Sequence, residues 1–258
     1  MKSLAGIFQH EYRMMIGRLG PWVAYAVIFL FNGLTVIRVG DPSSSPFAGS
    51  GPWPAAGEIL YVLNLFAPLI AGIASADRLI RDDRLGVREL QRSAPPSFGL
   101  RLAGKYAGVL AASLTPVLLF VLGTASWAVA SGIQPAAFFP AVLAGFAAIT
   151  LPAFAFVVAF SLACPLLIPV RIYQVLLTGY WFWGNYLNPD AFPTLNGTLL
   201  TPAGIFALHG FFKGRVGPGP DTVHTAGEAC VNILILAAAI FAVLALATLL
   251  MSRREREA

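Results

Sequence analysis

DRLIRDDRLGVRELQRSAPPSFGLRLAGK, residues 77–105, decides how the rest of the chain is placed. It carries Arg78, Arg81, Arg84, Arg88, Arg92, Arg101 and Lys105 against Asp77, Asp82, Asp83 and Glu89, and an apolar run flanks it on each side. Charges between two oily runs must sit in water at a membrane face, and Lys and Arg gather on the cytoplasmic one. The stretch is therefore expected to be a cytoplasmic loop between two membrane spans, within reach of a soluble partner.

Composition agrees with that placement. Of 258 residues, 57% are hydrophobic and 11% charged, whereas soluble domains carry roughly a quarter charged residues. That excludes an ordinary soluble enzyme and points to an integral membrane protein. The net charge of +5 would raise nucleic acid as a partner in a soluble chain, but basic cytoplasmic loops account for it, so none is expected. The first apolar run lacks a small-residue cleavage site and is expected to stay as a span. Cys164 and Cys230 fall near opposite faces of the membrane, out of reach of a disulfide.

Outward from the charged loop, the hydropathy pattern predicts an all-α fold with six transmembrane helices at about 21–37, 58–76, 102–131, 136–163, 172–187 and 229–251. Residues 1–19 read as an amphipathic helix in the interface plane. Leu4, Ile7, Phe8, Tyr12, Met15 and Leu19 recur at helical spacing, and Glu11 and Arg18 interrupt that stripe. Gly20-Pro21 is expected to break it and turn the chain into the membrane. Residues 20–258 form the transmembrane domain, with a proline-rich loop at 38–56. A long outer segment at 188–228 is so apolar that one or two short helices are expected to cap the bundle. Six crossings put 14 of the 17 Lys and Arg residues inside, which favours both termini in the cytoplasm of a plasma membrane, the inner membrane of a bacterium.

Chemical motifs are sparse. Residues 99–105 spell G-x-x-x-x-G-K, but position 106 is Tyr rather than Ser or Thr and a membrane span follows, so no phosphate-cradling loop is expected. Without it the chain carries no nucleotide-hydrolysing site of its own and calls for no cofactor. Gly104 and Gly108 read as a small-xxx-small packing pair. His10, His209 and His224 are scattered over different segments, and neither a metal-binding nor a hydrolase motif is present. Near mid-membrane the spans carry no Asp, Glu, Lys or Arg, which argues against proton-driven transport. Asn32, Asn64, Asn185 and Asn232 are expected to hydrogen-bond between helices, or alternatively to line a substrate path. Asn196-Gly197-Thr198 is a glycosylation sequon that matters only in a secretory setting.

Asp83, Gly86, Glu89-Leu90, Ser93-Ala94-Pro95 and Gly104-Lys105 follow one another in an order that resembles the first cytoplasmic loop of type-2 ABC transporter permeases. The amphipathic N-terminal helix with Glu11 and Arg13 and the six-span layout extend the resemblance over the chain. Asp83 departs from it, since the family more often has Glu closer to the glycine. The resemblance implies a short coupling helix over 86–94 that docks into a cleft of a separate ATPase subunit. It implies contacts from Asp83, Gly86, Val87, Arg88, Glu89, Leu90, Ser93, Ala94 and Pro95, with ATP and magnesium in that partner and a second permease subunit, identical or related. Helical spacing agrees: Val87, Leu90 and Ala94 would share a side, with Arg84, Arg88 and Arg92 beside them. The expected function is an ATP-driven exporter subunit for a lipid-like, peptide-like or amphipathic compound. A membrane scaffold or immunity factor that binds a cytoplasmic partner without transporting anything is the alternative.

Overall fold

The computed structural model describes residues 2–36, 49–84, 98–215 and 223–257. All regular structure among them is helical. In chain order the helices are α1 (Lys2–Ile16), α2 (Leu19–Phe31), α3 (Pro52–Leu63), α4 (Ala67–Ser75), α5 (Arg78–Arg84), α6 (Phe98–Ala130), α7 (Phe138–Gly145), α8 (Leu151–Ala163), α9 (Val170–Asn185), α10 (Ile205–Ala207) and α11 (Ala226–Glu257). Four helical stretches are long and apolar enough to cross a membrane: Pro52–Arg81, Phe98–Ala130, Phe138–Leu166 and Ala226–Arg253. A fifth is added if Leu4–Ile16 and Leu19–Leu34, bent by 63° between them, count as one. This is a helical membrane protein.

Prolines shape the stretches. Gly20-Pro21 does not break the first one: the bend falls at Gly17-Arg18, and Pro21 sits in the first turn of α2, where a missing N–H costs nothing. The Trp22 indole N–H donates to the Ile16 carbonyl at 2.7 Å and fixes that bend. Pro52 and Pro54 likewise start α3, so part of the expected loop at 38–56 is helical and the second stretch begins at Pro52 rather than near 58. Pro68 sits in the first turn of α4 and has no N–H to donate back to the end of α3, so the two do not run on as one helix. The chain accordingly turns at 64–66 between α3 and α4. Pro152 follows a π-helical turn at Phe146–Thr150 that joins α7 to α8. The third stretch also starts early, at Phe98 rather than 102, and α9 has 16 residues.

α8 stands at the centre, with Phe154, Val158 and Leu162 buried among residues of α3, α4 and α6. Leu69 of α4, Val157 of α8 and Tyr173, Leu177 and Trp181 of α9 make a second cluster. α11 lies at the periphery, with Leu234, Phe241, Leu246 and Leu249 exposed. It starts on a capping box, in which the Thr225 N–H and hydroxyl donate to the Glu228 carboxylate and the Glu228 N–H returns to Thr225 Oγ1.

The segment before α11 caps one end of the bundle, as its apolar content predicts. α10 and a π-helical turn at Leu208–Phe212 bury Ile205, Phe206, Leu208 and Phe212. Gly204, at φ 94°, opens the turn, and a Cβ there would come within 2.7 Å of Ile149 Cγ2. Polar side chains pin this cap. Glu58 Oε1 accepts the Arg215 N–H at 2.8 Å, Asn64 donates to the Ala203 carbonyl at 3.2 Å, and Asn232 donates to the carbonyls of Leu199 and Thr201 at 2.9 and 3.0 Å.

Candidate functional site

At the other end of the second stretch, about 30 Å from Glu58 at 1.5 Å per helical residue, lies a buried ionic cluster built from three elements. α1 approaches α6 closely because Gly104 and Gly108 leave a groove along it. A Cβ on Gly108 would sit 2.7 Å from the Phe8 carbonyl oxygen and 2.9 Å from Glu11 Cβ, and one on Gly104 would sit 2.8 Å from Ile7 Cγ2. Ile7 and Phe8 of the apolar stripe thus pack on α6. Tyr12 and Thr115 share a hydrogen bond of 3.1 Å farther along the same contact.

That approach carries the Glu11 carboxylate between two cations. The Lys105 ammonium donates to Glu11 Oε1 at 2.6 Å, and Arg78 Nη1 lies 3.8 Å from Oε2. Glu11 and Arg78 are each 3% exposed and Lys105 is 6% exposed. Arg78 also donates to Met15 Sδ at 3.3 Å. Next to it, Arg18 reaches Asp77 Oδ1 at 3.3 Å and the Ala74 carbonyl at 3.4 Å, in a more exposed pair. Charges buried this fully persist only when paired. Arg78 opens α5 and Lys105 lies in the second turn of α6, so one carboxylate on α1 joins both roots of residues 85–97.

Residues 99–105 are helical, and Lys105 is engaged by Glu11 rather than turned toward a phosphate loop. Of the residues that the resemblance implies in ATPase contact, Asp83 lies within α5, while Gly86, Val87, Arg88, Glu89, Leu90, Ser93, Ala94 and Pro95 lie outside the described residues. The four asparagines divide. Asn64 and Asn232 join separate segments, Asn64 donating also to the Ile149 carbonyl at 3.1 Å, whereas Asn32 and Asn185 donate to carbonyls of their own helices, Ile28 and Trp181. His209 and His224, far apart in sequence, stack at 5.4 Å between ring centroids, with Phe206 on His224 at 3.9 Å, because the fold of the cap returns residue 209 to the start of α11. Among the described residues no three His, Cys, Asp or Glu side chains gather as a metal site.

Glu11 was visible in sequence as an interruption of an apolar stripe. Its partners were not, since Arg78 and Lys105 are two of seven cations in one loop, and only the glycine groove selects them. Fold and cluster together define a multi-pass helical membrane protein whose N-terminal helix is ionically tied to its charged loop. The chain matches no family model, no curated protein and no solved structure.

Proposed function

We propose that the chain is the membrane-spanning permease subunit of an ATP-driven ABC transporter, crossing the membrane six times with both termini in the cytoplasm and exporting a lipid-like, peptide-like or amphipathic compound. A separate ATPase subunit, with ATP and magnesium, docks on the loop 77–101, and a second permease subunit completes the path. The observation that supports this is the Glu11 cluster. A loop that only sets topology needs no rigid footing, whereas a loop pushed by a motor must transmit its displacement to helices. Glu11 joins both loop roots to α1, and Trp22 joins α1 to α2 through a fixed bend, which makes a lever suited to rigid-body tilting.

The test is co-purification with a phosphate-loop ATPase from the same cells. Association is expected for the native chain and is lost for Glu89→Lys and Leu90→Asp while both variants remain in the membrane. ATPase retained by both variants, or labelling that finds residues 85–97 on the outer face, overturns the proposal. A stable complex whose ATP hydrolysis responds to no cargo favours the scaffold instead.

A further inference from the structure

α8 carries α11 on one flank, α4 carries α9 on the neighbouring flank, and α9 and α11 leave a gap between them over the α8 surface. The gap is a cleft of about 440 Å³, in the size range of ligand sites. Its lining includes Phe156 and Phe160 of α8, Leu176 of α9, Leu236 and Ala239 of α11, and Leu200. Leu176 and Leu200 are 57% and 51% exposed and mark the mouth on the outer surface of the bundle. Among the described residues no charged side chain lines it, and the Tyr173 hydroxyl in its lining is already hydrogen-bonded to Ser161 Oγ at 2.8 Å.

We propose that this cleft is a binding site for one acyl tail of a bilayer lipid. A polar ligand would lose its hydration here with almost nothing in exchange. An empty apolar cleft forfeits dispersion contacts along its whole lining, and two of the helices that form it, α8 and α11, belong to stretches long and apolar enough to cross the hydrocarbon of a membrane. The volume is that of a ligand cleft, and the uncharged lining suits an acyl tail rather than a headgroup. The site is independent of the ATPase proposal, because it needs nothing from residues 77–101.

The experiment uses the full-length protein in nanodiscs of phosphatidylcholine with a diazirine in its acyl tail, photolysed and mapped by peptide mass spectrometry. Cross-links are expected at Phe160 and Leu236 several-fold above those at Val23, Val27 and Leu30, which are among the most exposed apolar side chains of α2. Ala239→Trp fills the cleft and is expected to abolish the α8 cross-links while sparing those on α2. Cross-linking that simply follows exposure, or that persists on α8 in Ala239→Trp, overturns the site. Displacement of the lipid label from α8 by a photoreactive free fatty acid overturns the bilayer-lipid assignment. Should Ala239→Trp not fold, Cys164 in the cleft wall and exposed Cys230 serve in the native chain. Alkylation of Cys164 is expected to accelerate several-fold on removing lipid with detergent, relative to Cys230, and an unchanged ratio overturns the proposal.

Discussion

Glu11 is a carboxylate held out of water by two cations, and its energetics follow from which partner is removed. A buried pair is a weak source of net stability, because desolvation offsets most of the attraction, but breaking one leaves a stranded charge at a cost of about 3–5 kcal/mol. Glu11→Gln removes the carboxylate that Lys105 meets at 2.6 Å and Arg78 at 3.8 Å and is expected to fall in that range. Lys105→Met leaves Glu11 with Arg78 at 3.8 Å and is expected to cost less. In the double variant Glu11→Gln/Lys105→Met the ammonium that faced the lost carboxylate is gone as well, so part of the loss in Glu11→Gln is restored. Thermal unfolding of the three variants in one detergent measures this, and a double variant that loses the sum of the single losses would show that the groups do not interact.

The elements that periodicity and length determine were legible, and those determined by partners were not. Long apolar runs gave the helices of the bundle, and the apolar content of 188–228 gave a cap. The bend after α1 was misplaced because proline at a helix start and proline inside a helix look alike in sequence, and only the hydrogen-bonding frame separates Pro21, Pro52 and Pro68 from Pro116 inside α6. Gly104 and Gly108 read correctly as packing residues, but the helix they admit could have been any neighbour. That it is α1 leads to a prediction for this element pair. Gly108→Val places side-chain atoms where the Phe8 carbonyl and Glu11 Cβ already lie. The expected outcome is separation of α1 from α6 at a cost of about 1–3 kcal/mol. Gly123→Val, on the same helix with open space around it, is the control. Protease digestion is expected to release α1 from the Gly108 variant alone, and equal resistance in both would contradict the packing.

Across the whole molecule, polar contacts hold the two ends and apolar packing fills the middle, so the ends should answer differently to acid. Burial pushes His224 below the ordinary imidazole range, with the Glu228 carboxylate opposing the shift. Because the folded state disfavours the proton, the unfolded chain binds more of it between the folded value and about 6.5. Stability from His224 is therefore fully present above that pH and is lost as pH falls through the lowered folded value. A charged His224 would also face the His209 ring in the stack and loosen the cap, whereas Glu228 stays ionised in that window and softens the effect. The Glu11 end has no histidine in its cluster. Hydrogen exchange at pH 8 and pH 5.5, corrected for intrinsic rates, is expected to show protection falling over residues 199–212 and holding over α1 and the start of α6. His224→Phe keeps a ring on Phe206 and is expected to remove most of the acid response of the cap. Equal loss of protection at both ends would place the sensitive group elsewhere in the bundle.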